Sequence, residues 1–194
     1  MRLLTIMLVA ALVSGDVAMD KPKILMVIAH EGFRDEELQR PKEILEANGY
    51  DVVIASTSLT PAKGKLGAVV KPDILLEDAR AEDYQAVIFV GGPGSEIYFH
   101  DDRALTLARS ANKQGKVVGA ICIAPCILAN AGILEGKKAT VYGGLLTTQY
   151  INVLKQGGAH YTTKPVVIDG NLITAAGPKA AEAFGRAIVS TLAQ

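Results

Sequence analysis

Short apolar runs alternate with amphipathic segments along this chain, and the alternation limits the folds that it can adopt. Apolar runs within residues 23–29, 85–90 and 117–122 predict a buried strand over each of these ranges. Residues 35–48 are amphipathic and a strand over 51–56 follows them, which predicts a βαβ unit. Strands that are buried on both faces need helices on both faces. The pattern therefore predicts an α/β fold with a mostly parallel sheet.

The remaining predicted elements are shorter. Pro41 falls within the first predicted helix, so either a kink or a late helix start is expected there. A hairpin over 166–175 is predicted to turn at Asp169-Gly170. The other expected elements are a hairpin or excursion over 65–73, helices over 101–114, 123–131, 147–156 and 178–192, and a strand over 138–142.

The length and charge of the chain limit the number of domains and the kinds of binding partner that we expect. The chain has 194 residues, which fit one domain, and we place that domain at residues 21–194. Lys plus Arg and Asp plus Glu number 20 each, so no net field recruits nucleic acid or an anionic membrane. Trp is absent and aromatic residues make up 5%, which argues against aromatic platforms for sugars or single-stranded nucleic acid. We therefore expect a small-molecule or protein substrate.

The N-terminus has the order of a secretory signal. Arg2 precedes an apolar run over residues 3–13, and small residues follow it up to Asp16. This order predicts a signal peptide over residues 1–15 and export to the periplasm or the exterior, and the run is too short for a membrane span. The alternative is a misplaced start, with the chain beginning at Met19 and staying in the cytoplasm.

Cys122 stands where a predicted strand passes directly into a predicted helix. Such a sharp elbow holds the side chain out at the carboxyl edge of the sheet, and the positive helix N-terminus favours thiolate over thiol. Pro125 supports the helix prediction. Proline lacks an N–H, and in the first turn of a helix a backbone N–H would have no helical partner. A reactive Cys122 is the functional interpretation, and an inert buried cysteine is the alternative. Cys126 is interpreted as helix core, with a resolving cysteine as the alternative.

Other chemical groups follow the ends of neighbouring predicted strands. His30 and Glu37 come after the first strand, Gly91-Gly92 after the 85–90 strand, and Tyr142 after the 138–142 strand. Ligands of parallel sheets gather at the carboxyl ends of the strands, so one pocket could hold all of these groups.

Each candidate has a stated chemistry and a simpler alternative. The N–H groups of Gly92 and Ile123 could stabilise an oxyanion, although the glycines alone also suit a turn. A protonated Glu37 could donate a hydrogen bond to the Cys122 thiolate, or it could be a solvated helix carboxylate. Possible bases are His30, His100 and His160, none of which has a spacing signature with the cysteine. No metal-ligand spacing is present, so we expect no metal and no cofactor.

Four segments occur in the order seen in the PfpI-type/DJ-1 superfamily, whose fold is like that of class I glutamine amidotransferases. They are residues 37–41, 91–94, 120–125 and 169–174. The resemblance implies a flavodoxin-like three-layer sandwich that forms a homodimer or a higher homo-oligomer. By position, Cys122 matches the elbow cysteine of that family and Glu37 the acid that hydrogen-bonds it. Gly92 and Ile123 match the oxyanion donors.

The chain departs from the family pattern at two positions. Protease-like members carry His directly after the cysteine, where this chain has Ile123, and the DJ-1 branch carries His where this chain has Tyr142. Amide hydrolysis needs a proton for a poor leaving group, so a cysteine peptidase or amidase is the less favoured interpretation.

The favoured interpretation is a cysteine-dependent stress protein that acts on small reactive carbonyls. It would be a cofactor-independent hydrolase or lyase of glyoxalase or deglycase type. A peroxide-responsive redox sensor, or a chaperone without turnover, is the alternative.

Overall fold

A computed structural model of the protein describes residues 21–143 and 147–194. In chain order its strands are β1 (Lys23–Val27), β2 (Glu31–Phe33), β3 (Asp51–Ser56), β4 (Ala62–Gly64), β5 (Val69–Val70), β6 (Ile74–Leu75), β7 (Ala86–Phe89), β8 (Val117–Ile121), β9 (Lys138–Ala139), β10 (His160–Tyr161), β11 (Val166–Asp169) and β12 (Leu172–Ala175). Its helices are α1 (Asp35–Ala47), α2 (Asp102–Lys113), α3 (Pro125–Asn130), α4 (Gln149–Gln156) and α5 (Ala181–Leu192). The predicted signal peptide and the alternative start at Met19 lie outside the described residues.

A seven-stranded sheet in the order β11-β12-β8-β7-β1-β3-β6 forms the centre of the fold. Neighbouring strands are parallel except β11 and β12, which form the predicted antiparallel hairpin. Successive side chains of a strand point to opposite faces, and β1 shows this: Leu25 belongs to the apolar core on one face and Met26 to the core on the other. Helices α1 and α5 cover the Met26 face, and α2, α3 and α4 cover the Leu25 face. The predicted α/β sandwich is confirmed.

Helix α1 carries Pro41 in its interior but begins well before it, at Asp35, so the expectation of a late helix start is wrong. Proline has no N–H, and the carbonyl of Glu37 therefore receives no helical hydrogen bond from the residue four positions on. Leu38 and Leu45 bury the apolar face of the helix against the sheet. The same helix thus places Glu37 near the edge of the sheet.

Several predicted boundaries differ from the structure. The strand predicted over 138–142 is only Lys138–Ala139, and it pairs with β10 in a separate two-stranded sheet. The helix predicted from residue 123 begins at Pro125, because residues 122–124 form the turn after β8. Pro178–Ala180 forms a 3-10 turn before α5. The excursion expected over 65–73 is part of a small sheet in the order β2-β4-β5.

No helix within residues 21–143 and 147–194 is long and apolar enough to cross a membrane.

Candidate active site

Cys122 lies at the turn that follows β8, with a strained backbone. Its φ angle is 64°, and among the described residues it alone combines a positive φ with a side chain. Neighbouring segments hold this conformation, since the Cys122 N–H donates to the Ala175 carbonyl at 2.9 Å and its carbonyl accepts from the Tyr142 N–H at 2.7 Å. A residue in such a conformation costs on the order of 1–3 kcal/mol and persists only where its surroundings enforce it. The elbow predicted from the sequence is present.

The Cys122 side chain is 9% exposed and has two main-chain donors beside it. The N–H groups of Gly92 and Ile123 lie beside its sulfur and lower the pKa of the thiol. Burial, and secondly the charge of Glu37, outweigh them and raise the pKa to about 12. The helix N-terminus therefore does not by itself produce a thiolate here. Burial and the charge of Glu37 together limit how far the thiol ionises.

Gly92 can place its N–H there because it has no side chain. Its φ is 95°, and a Cβ at this position would lie 2.5 Å from the Gly32 carbonyl oxygen. Its own carbonyl accepts from the Ser95 N–H at 3.0 Å and from the Ser95 hydroxyl at 2.8 Å. The glycine therefore has a structural requirement beyond ending the strand.

The Glu37 side chain is fully buried, at 0% exposure. Burial raises the pKa of its carboxyl to about 8, while the Cys122 thiol and the positive charge of Arg34 act in the opposite direction. The thiol interacts with this carboxyl, but neither carboxyl oxygen has a hydrogen-bond partner of regular geometry among the described residues. Glu37 is therefore protonated at neutral pH. Its carboxyl oxygens remain available for a hydrogen bond of regular geometry.

Gly91 separates the two side chains. A Cβ at Gly91 would lie 2.5 Å from the Cys122 Cβ and 2.5 Å from Glu37 Oε2, so only a hydrogen atom fits between them. The Gly91 carbonyl accepts from the Arg34 N–H at 2.9 Å, which fixes the start of α1 against this loop. Two acids this close titrate as a pair. When the pair holds one proton, either Glu37 is a carboxylate beside the Cys122 thiol, or Glu37 is a carboxylic acid beside the Cys122 thiolate.

A pocket of about 330 Å³ opens onto the pair. It is lined by Arg34, Glu37, Lys65, Gly92, Pro93, Cys122, Ile123, Tyr142, Tyr150 and Pro178. The structure thus brings together five of the residues singled out from the sequence: Glu37, Gly92, Cys122, Ile123 and Tyr142. A second cavity of about 560 Å³ adjoins it and shares Tyr142 and Pro178. A surface groove of about 440 Å³ beside α2 contains none of these five residues.

His30 is not among the residues that line this pocket. Its Nε2 lies 3.3 Å from the Thr60 hydroxyl, and its buried Nδ1 has no hydrogen-bond partner in the described part of the chain. His100 and His160 do not line the pocket either. No histidine of the described chain therefore stands in the pocket with Cys122.

Sequence reasoning missed Arg34, Lys65, Tyr150 and Pro178. Arg34 precedes a helix and Lys65 lies in a turn, so neither position carries a pattern that points to a pocket. Tyr150 lies in the first turn of α4, and its hydroxyl donates to the Glu96 carboxylate at 2.6 Å. Tyr150 falls within an ordinary predicted helix over 147–156, so the sequence carries no pattern that marks it as a pocket residue.

Cys126 is buried, and its Sγ lies 3.7 Å from the Tyr150 carbonyl oxygen. Burial raises the pKa of this thiol to about 12. These surroundings agree with the interpretation of Cys126 as helix core. Over the described ranges, no group of three or more His, Cys, Asp or Glu side chains is placed to hold a metal ion.

The parallel sheet, the strained cysteine elbow and the acid beside it define a class of α/β proteins with a cysteine in a pocket at the sheet edge. The chain belongs to the DJ-1/PfpI family, whose sequence model matches residues 22–191. The family resemblance stated from the motifs is thereby confirmed.

Known relatives agree with this membership. The chain is 41% identical over 175 residues to an uncharacterised protein of Methanocaldococcus jannaschii, covering 90% of this chain and 84% of the relative. It is 34% identical over 170 residues to a deglycase of Pyrococcus horikoshii, with 88% and 99% of the two chains covered. The figures for the deglycase PfpI of Pyrococcus furiosus are the same.

Solved structures show the same fold. A ThiJ/PfpI domain protein from Brachyspira murdochii superposes with a TM-score of 0.84 at 34% identity, covering 89% of this chain and 98% of that one. DJ-1beta of Drosophila melanogaster superposes with a TM-score of 0.79 at 29% identity, covering 89% and 91%. The flavodoxin-like sandwich predicted from the resemblance is confirmed.

Proposed function

We propose that the protein is a cofactor-independent enzyme that converts small reactive carbonyl compounds, with Cys122 as nucleophile and Glu37 as proton carrier. The observation that carries this proposal is a fully buried carboxyl group that flanks Gly91 together with the Cys122 side chain, both of them lining one pocket. The relatives named deglycases support a hydrolase-type activity.

The first step is addition to an aldehyde. The Cys122 sulfur forms a bond to the carbonyl carbon, and the π electron pair moves to the oxygen. The proton retained by the Cys122–Glu37 pair passes to that oxygen, so the products are a neutral hemithioacetal and a Glu37 carboxylate. The N–H groups of Gly92 and Ile123 stabilise the charge that develops on the oxygen during this transfer.

With a 2-oxoaldehyde the same carboxylate completes the conversion. Glu37 removes the proton from the carbon bonded to sulfur, which gives an enediolate, and returns it to the adjacent carbon. The hydroxyl proton on the sulfur-bearing carbon passes to the oxygen of that adjacent carbon, so a thioester carbonyl and a 2-hydroxyl group form. Water then hydrolyses the thioester to a 2-hydroxy acid and restores the thiol. No electron leaves or enters the system, because the aldehyde carbon is oxidised as the neighbouring carbon is reduced.

Peptidase or amidase activity is less favoured by the pocket. Ile123 lies in its wall beside the cysteine, and no histidine of the described chain lines it. An amine leaving group needs a proton donor on its own side, whereas Glu37 is buried on the side of the sulfur.

A second candidate function is peroxide sensing. Cys122 is the thiol that lines the pocket, and the two amides that face its sulfur would also stabilise an oxidised sulfur anion. In that reaction the thiolate displaces hydroxide from peroxide, the sulfur loses two electrons to the O–O bond, and a sulfenic acid forms. Intact mass after low peroxide tests this candidate, and the absence of added oxygen would exclude it.

Methylglyoxal consumption tests the main proposal. We expect Cys122→Ser and Glu37→Gln each to abolish turnover, while the matched control Cys126→Ala, four residues further on, keeps it. A Cys122→Ser variant that consumes methylglyoxal at the wild-type rate would refute the proposal. If the protein is instead a chaperone without turnover, the wild type and the Cys122→Ser variant should suppress client aggregation equally well.

Two other features stay predictions. Assembly into a homodimer or higher homo-oligomer follows from the family resemblance. Export follows from the N-terminal segment alone, with a cytoplasmic protein as the alternative.

A further inference from the structure

The pocket over Cys122 has an unequal distribution of charge. Two of its lining residues, Arg34 and Lys65, are cationic, and the one carboxylic acid in its lining is Glu37. Because burial raises the pKa of Glu37 to about 8, that acid carries little charge at neutral pH. The pocket lining is therefore net positive in a chain whose overall formal charge is zero.

Arg34 keeps part of its donor capacity. Its Nε and Nη2 bind the two carboxylate oxygens of Glu36 at 2.8 and 3.2 Å. A guanidinium has N–H donors on each nitrogen, and Nη1 makes no hydrogen bond to any residue of the described chain. Glu36 thus orients the group and leaves one edge of it for a ligand. The hydrogen bond to Glu36 is the main cause that raises the pKa of Arg34, and charge on Glu37 and Cys122 acts in the same direction.

Lys65 reaches the pocket because a buried carboxylate holds its turn. The Asp35 side chain is 5% exposed, and its two oxygens accept from the N–H groups of Leu66 at 2.9 Å and Ala68 at 2.7 Å. The Lys65 N–H donates to the Phe33 carbonyl at 2.8 Å, which ties the turn to the start of α1. Within the described ranges the Lys65 ammonium forms no ion pair, so its charge is available to a ligand.

From this arrangement we infer that the pocket selects carbonyl compounds that carry a carboxylate close to the reacting carbon. The inference rests on the proposed function and names the substrate class of the same site. The planar edge of Arg34 suits a carboxylate, and Lys65 adds a point charge beside it. A cleft lined by charges of one sign also raises the local concentration of oppositely charged ligands.

Alkylation of Cys122 tests this without any need for turnover. Iodoacetate and iodoacetamide have the same reacting carbon and nearly the same size. Iodoacetate carries a carboxylate where iodoacetamide carries a neutral amide. We expect the ratio of their rates with Cys122, measured in the Cys126→Ala background, to exceed that of a small free thiol by about tenfold or more. The ratio should fall as salt is added, since the attraction is screened.

Three variants locate the effect. Lys65→Met and Arg34→Met should each lower the iodoacetate preference several-fold, while Lys179→Met, in the adjoining cavity, should leave it unchanged. A wild-type ratio equal to that of the free thiol, or an unchanged ratio in both Lys65→Met and Arg34→Met, overturns the inference. A high ratio in a protein that consumes neither methylglyoxal nor an aldehyde that carries a carboxylate would sink the proposed function and leave the carboxylate preference standing.

Discussion

Glu37 and Cys122 face each other across Gly91, with room between them for a hydrogen atom but not for a methyl group. The carboxyl group is fully buried, and the sulfur has the N–H groups of Gly92 and Ile123 beside it. Because a second negative charge in this space is unfavourable, the two groups lose their protons in separate steps. The reactive form of the pair is the one that holds a single proton.

The stability of the protein should fall as the pH rises from 4.5 to 8 because of Glu37. Its folded-state pKa, about 8, is higher than the ordinary value of 4.5, so the folded state holds this proton more tightly than the unfolded chain does. The stabilisation is complete below pH 4.5 and is lost as the pH rises through 8. The loss is up to about 5 kcal/mol at 1.36 kcal/mol for each pKa unit.

Urea unfolding at about pH 5 and about pH 9 measures this loss. Glu37→Gln cannot ionise, so the variant should show a much smaller change in unfolding free energy over the same interval. An equal pH dependence in wild type and Glu37→Gln would mean that Glu37 ionises normally in the folded protein.

Gly91→Ala should damage both stability and the thiol chemistry. The new methyl group would lie 2.5 Å from the Cys122 Cβ and 2.6 Å from the Ile121 carbonyl oxygen, so the backbone must shift. Overpacking of this kind costs about 1–3 kcal/mol. The control is Gly119→Ala in β8, whose methyl group would meet Ile88 Cδ1 at 2.7 Å, away from the pocket. The control should lose stability and keep the alkylation rate of Cys122, and Gly91→Ala should lose both.

The backbone conformation of Cys122 should make glycine more stabilising than alanine at position 122, the reverse of the usual order. At most strand or helix positions alanine is the more stable of the two, but a φ of 64° favours glycine. We expect Cys122→Gly to be more stable than Cys122→Ala by about 1 kcal/mol in urea unfolding. A more stable alanine variant would show that the elbow is not strained in solution.

The long elements of this fold could be predicted from the sequence because their periodicity is strong. The strands β1, β3, β7 and β8 are apolar, and each follows or precedes a helix with a clear amphipathic face. Strands of two or three residues, such as β6 and β10, have no measurable period and were missed. For the same reason β9 was predicted too long and in the wrong sheet.

The site could be predicted only in part. Cys122 follows from its place between a strand and a helix. The burial of Glu37 does not follow from its sequence, because three consecutive acids at 35–37 are typical of a solvated helix face. The fold buries Asp35 and Glu37 on the inner side of α1 and leaves Glu36 to pair with Arg34. Only the family resemblance identified Glu37 as the acid beside the cysteine.

Asp35 should act as a positioning residue for Lys65. In Asp35→Asn a single oxygen acceptor remains for the two N–H groups of Leu66 and Ala68, so their hydrogen exchange should speed up. The iodoacetate preference of Cys122 should fall with it. Asp73→Asn is the control, since Asp73 also accepts a backbone N–H, that of Ile54 at 2.8 Å, and does not line the pocket. An unchanged preference in Asp35→Asn would show that the turn holds Lys65 without this carboxylate.

The pH dependence of Cys122 alkylation by iodoacetamide tests the coupling of the two side chains most directly. In the Cys126→Ala background we expect the rate to rise in a first step with an apparent pKa near 8, where the pair loses its first proton, and in a second step near 12. In Glu37→Gln no carboxyl group titrates, so the step near 8 should be absent and the rate should rise in a single step at higher pH, because the thiol is still buried. The same pH profile in both proteins would contradict the account, because Cys122 would then ionise without regard to Glu37.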